Sequence, residues 1–156
     1  MVAEATTDEL TVRLAGLADF DRLLPLLERF YREEGFEKSL DSLAGNLRHL
    51  LERTDCPAFV ALSQGNAVGV AVCSTSFGLE GGAYIELEDL FVEPASRGRG
   101  VATALVEAVA EWGRAQGFRK LEIVMTPYAQ AKDDLAPWYE SRGFADTGRV
   151  IYERAL

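Results

Sequence analysis

Apolar residues in this chain fall into two rhythms, one helical and one of strands. Phe20, Leu23, Leu24, Leu27, Phe30 and Tyr31 recur at three- and four-residue steps, which predicts a helix that Asp19 caps and Gly35 ends. A second helix is predicted over residues 40–53, with Leu43, Leu47, Leu50 and Leu51 on one face and the lone His49 turned to solvent. Ahead of both, Leu10–Leu14 reads as a short strand. Residues 58–62 and 67–77 read as antiparallel strands joined by Ser63-Gln64-Gly65-Asn66, where Gly65 and Asn66 tolerate positive φ and suit a hairpin. A third strand, residues 83–92, follows the glycine-rich turn 78–82. From Val101 the helical rhythm returns, with Leu105, Ala108, Val109 and Trp112 sharing a face as far as Gly117. A strand over 120–126, a short helix ending near Arg142 and a last strand over 150–154 complete the pattern.

The order β-α-α-β-β-β-α-β-α-β, with no repeat or low-complexity linker, predicts one α/β (α+β) domain spanning residues 1–156. Its centre would be a mixed, mostly antiparallel sheet flanked by helices. With 48% hydrophobic residues, such a core needs no disulfide or metal staple. The two cysteines, Cys56 and Cys73, lack the paired spacings of a metal site or disulfide framework, so both are expected to be buried neutral thiols.

Glu4, Asp8 and Glu9 stand where a secretory signal would need basic residues before an apolar stretch. The longest apolar runs, 58–62 and 68–73, fall far short of the roughly 20 residues of a membrane span. A cytoplasmic protein without a membrane partner is expected. Twenty-five acidic against sixteen basic residues give a formal charge of −9. That balance argues against nucleic acid as a partner and favours a cationic substrate.

The strongest local signal is Arg97-Gly98-Arg99-Gly100-Val101-Ala102, at the junction of a strand and a helix. Exposed backbone N–H groups and the positive helix end form an anion site at such a junction. Gly98 and Gly100 allow close approach of a phosphate, and Ala102 keeps the first helical turn small. The alternative, an ordinary solvated basic turn, stays open on these six residues alone. A dinucleotide fingerprint fits poorly: its third glycine would fall at Thr103, and five residues separate Val92 from Gly98.

The hexapeptide resembles the helix-opening loop of the GNAT superfamily of acyl-CoA N-acetyltransferases, Arg/Gln-x-x-Gly-x-Gly/Ala, at Arg97, Gly100 and Ala102. Downstream, Trp138-Tyr139-Glu140-Ser141-Arg142-Gly143-Phe144 is similar to that family's aromatic-Tyr-x-x-x-Gly-Phe block. Two blocks in the right order and context are more specific than either alone, and the resemblance extends over nearly the whole chain. It implies acetyl-CoA as co-substrate with no metal. The coenzyme would be held by Phe91 and Val92 at the strand end and by Arg97, Gly98, Arg99, Gly100, Val101, Ala102 and Thr103 in the turn. Tyr139 would face the cofactor sulfur, and a homodimer is implied as well. One departure stands at Lys132, where many relatives carry asparagine.

The chemistry needs a proton acceptor, because a free alkylamine with a pKa near 10.4 must arrive neutral. Alternation along residues 84–92 places Glu86, Glu88 and Leu90 on one side and Leu87, Asp89 and Phe91 on the other. Glu86 and Glu88 are therefore the candidate bases, with Asp89 third. The family often breaks this strand with a bulge, which would disturb the parity. Tyr139, with an ordinary phenol pKa near 10, suits the role of proton donor to the departing thiolate. Tyr31, Glu34 and Asp89 are expected on the acceptor side, where the resemblance to aminoglycoside and polyamine acetyltransferases suggests a cationic small molecule. A protein lysine or N-terminal acetyltransferase and a CoA-binding sensor without turnover are the competing readings.

Overall fold

The computed structural model describes residues 9–156. Glu4 and Asp8, on which the reading of the amino terminus partly rests, lie outside the described residues. The chain divides into two compact units, Met1–Val124 and Met125–Leu156.

In the first unit, β1 (Leu10–Leu14), β2 (Ala58–Ser63), β3 (Asn66–Gly78), β4 (Gly82–Val92) and β5 (Lys120–Ile123) form one sheet in sequence order. The first three pairings are antiparallel and β4–β5 is parallel. Only the parallel pair requires a crossover, and α3 (Val101–Ala115) supplies it. The mixed, mostly antiparallel sheet flanked by helices agrees with the pattern of the sequence.

α1 (Phe20–Glu33) and α2 (Leu40–Leu51) pack over one face of the sheet, where Leu23, Leu26, Leu27, Leu43 and Leu47 bury themselves against Val60, Val70, Val72 and Phe91. α3 covers the other face and comes so close that two glycines are needed. A Cβ on Gly113 would lie 2.5 Å from Ile85 Cδ1, and one on Gly69 would lie 3.0 Å from both Leu105 Cδ1 and Val101 Cγ1.

Several details differ from the sequence reading. Asp19 stands at the N-cap of α1 but makes no side-chain cap bond. Its buried carboxylate instead accepts both guanidinium arms of Arg13, at 2.9 and 2.8 Å, and the Gly16 N–H at 3.0 Å. The charged partner holds Asp19 below the usual carboxylate range. The β2–β3 hairpin places positive φ at Gln64 and Gly65 rather than at Gly65 and Asn66, because Asn66 already pairs with Ser63 in the ladder. Of the two thiols, Cys73 is buried, and its pKa is pushed up to about 12 by desolvation. Cys56, in the turn before β2, is only half-buried.

The second unit contains α4 (Pro127–Asp133) and α5 (Leu135–Glu140), two helices where one was expected. The break falls at Asp134, whose φ of 47° is left-handed and cannot continue a helix. The strand expected at 150–154 is absent: residues 144–156 carry no regular structure. Val150, Ile151 and Tyr152 are exposed, and alternation alone cannot make a strand unless a neighbour takes its N–H and C=O groups. Among the described residues no helix is long and apolar enough to cross a membrane.

The approach of α3 to β3 can be tested at Gly69. Valine there suits a strand, yet its Cβ would meet Leu105, Val101 and, at 3.2 Å, the Phe91 carbonyl. Gly69→Val should lower the unfolding free energy by about 1–3 kcal/mol. In contrast, Gly45→Ala, exposed in α2 with open space around a Cβ, should raise it by about 0.5–1 kcal/mol. Urea denaturation of both variants measures the difference, and a Gly69→Val protein as stable as the parent would contradict the packing.

Candidate active site

The site is built around an irregularity in β4. Val72 pairs with Asp89 and Cys73 with Leu87, so Glu88 is an extra residue without a partner on β3. Such a bulge resets the alternation of side chains. Below it, Glu86 pairs with Ser74; above it, Asp89 pairs with Val72 and Phe91 with Val70. Ser74, Val72 and Val70 lie two residues apart on one face of β3, so Glu86 and Asp89 share that face. The simple alternation that set Asp89 opposite Glu86 and Glu88 is thereby corrected. Glu88 leans to the same side, where its carboxylate accepts the Ser74 hydroxyl at 2.6 Å.

Above these carboxylates lies the end of α1. Tyr31 donates its hydroxyl to Asp89 Oδ2 at 3.4 Å and meets Phe36 edge-on, with ring centroids 5.7 Å apart. Phe30 packs on Phe91, also at 5.7 Å. The Phe36 N–H closes the turn on the Tyr31 carbonyl at 2.7 Å, and Glu34 sits within that turn at the C-cap of α1. The structure thus brings Tyr31, Glu86, Glu88 and Asp89 to one wall.

Burial and mutual repulsion tune this wall. Desolvation, then the charge of Glu88, raises Asp89 from 3.8 to about 6, with only partial relief from the Tyr31 hydrogen bond. Glu86 is raised by the same two causes and by Glu122, its neighbour on β5. Tyr31 is pushed up to about 12 by burial and by Asp89. Asp89 is consequently a carboxylate whose ionisation falls near neutrality, as a proton acceptor requires.

The glycine turn follows β4. Gly98 and Gly100 have φ of 74° and 81°, a conformation L side chains rarely adopt, and a Cβ on either would meet nothing within 4 Å. The α3 ladder opens with the Ala104 N–H bonding the Gly100 carbonyl at 2.9 Å, so the amides of Val101 and Ala102 lie ahead of it. Val101 itself is buried against Gly69. An open turn at the head of a 15-residue helix suits a phosphate. Beside it, the β4–β5 pairing ends at Leu87 and Ile123, five positions short of Val92. The end of β4 therefore runs on beyond its pairing with β5.

Arg97 is held by the protein's own groups. Its Nε donates to the Val92 carbonyl and its NH2 to Glu33, each at 2.9 Å, with the guanidinium 5.4 Å from the centre of the Phe91 ring. Arg99 is exposed. Tyr139 belongs to the second unit, wedged edge-on between Trp138 and Phe144 at 4.8 and 5.3 Å. Burial pushes its pKa up to about 12, so it keeps its proton at any physiological pH. In the same unit Lys132 lies 5.9 Å from the Tyr128 ring centre and 3.8 Å from Asp133.

Sequence reasoning missed Ser74, Glu122, Arg29 and Glu93. Arg29 and Glu33 stand one helical turn apart on α1, and Arg29 pairs with Glu93 while Glu33 pairs with Arg97. The i, i+4 spacing within each pair of positions was visible; their meeting across 64 residues was not.

The sequence matches the Acetyltransferase (GNAT) family over residues 20–144. It is 31% identical over 109 residues to an aminoglycoside N(6')-acetyltransferase type 1 of Salmonella typhimurium, spanning 67% of this chain and 73% of that protein. It is 26% identical over 102 residues to the thialysine N-epsilon-acetyltransferase of Caenorhabditis elegans, spanning 65% of this chain and 64% of that one. Among solved structures, aminoglycoside N-acetyltransferase AAC(6')-Iy in complex with CoA shares the fold with a TM-score of 0.81, at 24% identity and 97% coverage of both chains.

Burial of Asp89 has a measurable consequence for stability. Its folded-state pKa of about 6 lies above the ordinary 3.8, so protonation favours the folded state. The ionised group costs stability above about pH 6, and the cost disappears as pH falls below 3.8. Asp89→Asn should therefore stabilise the protein at pH 8 by on the order of 1–3 kcal/mol and leave it nearly unchanged in acid. Denaturation midpoints at pH 8 and pH 3.5 give the comparison; equal effects at both would place Asp89 outside a desolvated site.

Proposed function

The chain belongs to the acetyltransferase (GNAT) family, and we propose that it transfers an acetyl group from acetyl-CoA to a primary amine of a small cationic molecule, an aminoglycoside or polyamine. The observation that carries this reading is the bulge at Glu88, which gathers Glu86, Glu88 and Asp89 on the face that Tyr31 overhangs. Three carboxylates on one wall would repel an anionic acceptor and hold a polycation. The aminoglycoside acetyltransferase among its relatives supports the same class, and the net charge of −9 steers cations inward.

The glycine turn suits the coenzyme, since Gly98 and Gly100 take a backbone conformation that L side chains rarely adopt and leave open space at the head of α3. The backbone from Gly98 to Thr103 would hold the pyrophosphate, with the end of β4 at Phe91 and Val92 alongside the pantetheine arm. Bound there, acetyl-CoA supplies an activated thioester. The chain's own residues do the rest. Glu86 and Glu88 attract and orient the ammonium groups of the acceptor. Asp89, ionised above about pH 6, takes the proton that the attacking nitrogen must lose. In the second unit, Tyr139 retains its phenolic proton, which the donor role implied by the family resemblance requires.

The test is kcat/KM for an aminoglycoside, spermidine, a simple monoamine and a lysine peptide, at low and high salt and across pH. Polycations should be preferred, with the preference shrinking as salt shortens screening to about 10 Å at 0.1 M. The rate should fall below about pH 6, and Asp89→Asn should abolish that dependence along with most of the activity. A preference for the lysine peptide would favour a protein acetyltransferase, and CoA binding without turnover of any amine would indicate a sensor. Tyr139→Phe should lower kcat by about 10²- to 10⁴-fold where chemistry limits the rate. Gly100→Val, strained at positive φ and filling the turn, should weaken acetyl-CoA binding; undiminished affinity would remove the turn from the coenzyme site.

A further inference from the structure

Two ion pairs join the outer face of α1 to the turn between β4 and α3. Arg29 pairs with Glu93, and Glu33 pairs with Arg97 at 2.9 Å. All four side chains are partly exposed, so each pair by itself adds little to stability. What they fix is position. Glu93 begins the turn, and its N–H bonds the carbonyl of Val68, the extra residue of a second bulge, at 2.9 Å. Arg97 ends the short 3₁₀ turn of Pro94–Ser96 and leads directly into Gly98. Its guanidinium is divided between the Val92 carbonyl, Glu33 and the Phe91 ring. Such a planar fork meets two directed acceptors and a ring face at once, a geometry that the compact ammonium of lysine does not reproduce.

The same α1 carries Tyr31, two residues before Glu33, and Tyr31 bonds Asp89 on the strand that ends at Val92. We propose that Arg97 is a positioning residue whose side chain, clamped between Glu33 and the Val92 carbonyl, couples the glycine turn to the α1 wall of the acceptor site, rather than binding the coenzyme phosphates. Ordering of the turn is passed through Arg97 and Glu33 to the last turn of α1, and so to Tyr31 and Asp89. Reciprocity requires that an ordered α1 also favour CoA binding at the turn. The proposal rests on the coenzyme reading of the glycine turn but not on the identity of the amine.

The probe is CoA itself, followed by calorimetry and by amide hydrogen exchange of residues 28–36, in the parent, Glu33→Gln, Arg97→Gln and the charge-swapped Glu33→Arg/Arg97→Glu protein. In the parent, saturating CoA should slow exchange in that segment by about fivefold or more. Either single substitution should remove the protection while changing the Kd for CoA by no more than about threefold, because an exposed ion pair is worth little. The swapped pair should restore part of the protection. Loss of a direct guanidinium–phosphate bond would instead cost Arg97→Gln roughly ten- to a hundredfold in Kd, with Glu33→Gln unaffected. That result, or protection persisting in both single variants, overturns the coupling role while the coenzyme site stands. A parent that does not bind CoA at all overturns the coenzyme reading and the coupling together.

Discussion

One unpaired residue in β4 sets the geometry on which the candidate site depends. Without Glu88 as an insertion between the pairs Leu87–Cys73 and Asp89–Val72, strict alternation would send Glu86 and Asp89 to opposite faces of the sheet. With it, the strand can bury Ile85 and Leu87 under α3 and, farther along, Phe91 under α1. The same shift leaves three carboxylates in succession on the α1 side. Their crowding is unfavourable, and after burial itself the charge of Glu88 is what raises the pKa of Asp89. Tyr31 and Ser74 relieve only part of this negative charge, and under the proposed function an acceptor ammonium would offset more of it.

The sheet's other bulge serves the same end of β4. The bulge at Val68 offers its carbonyl to Glu93, and the Val92 carbonyl receives Arg97, so the strand's exit is fixed by bonds from both sides of the turn. Gly69 lets α3 start directly against β3, which puts the amino end of a well-packed helix beside the strand end. The glycine turn holds two left-handed residues between flanks that hydrogen bonds at Glu93 and Arg97 fix in place.

Much of this was legible in the chain itself. The periodicity of α1, α2 and α3, the hairpin between β2 and β3, and the glycine turn opening a helix are local signals, governed by residues within one or two turns of each other. The resemblance carried by Arg97, Gly100, Ala102 and the block around Tyr139 anticipated the family that the sequence comparison establishes. Where local pattern lacked a spatial partner it misled. Val150 and Tyr152 alternate as a strand would, yet residues 144–156 form none, and Asp19 stands at a helix start but spends its carboxylate on Arg13.

The sequence by itself determined the elements, the glycine turn and the identity of the acidic residues, because each follows from the backbone preferences and charges of neighbouring residues. Only the tertiary structure decided which of those residues share a wall. Register is a relation between strands, so whether β4 carries an extra residue opposite β3 cannot be read from β4 alone. The pairing of Glu33 with Arg97 likewise joins positions 64 residues apart. A charge's partner depends on which surfaces the core brings together, and that is fixed by the packing of Leu23, Leu27 and Phe91 rather than by the charges themselves.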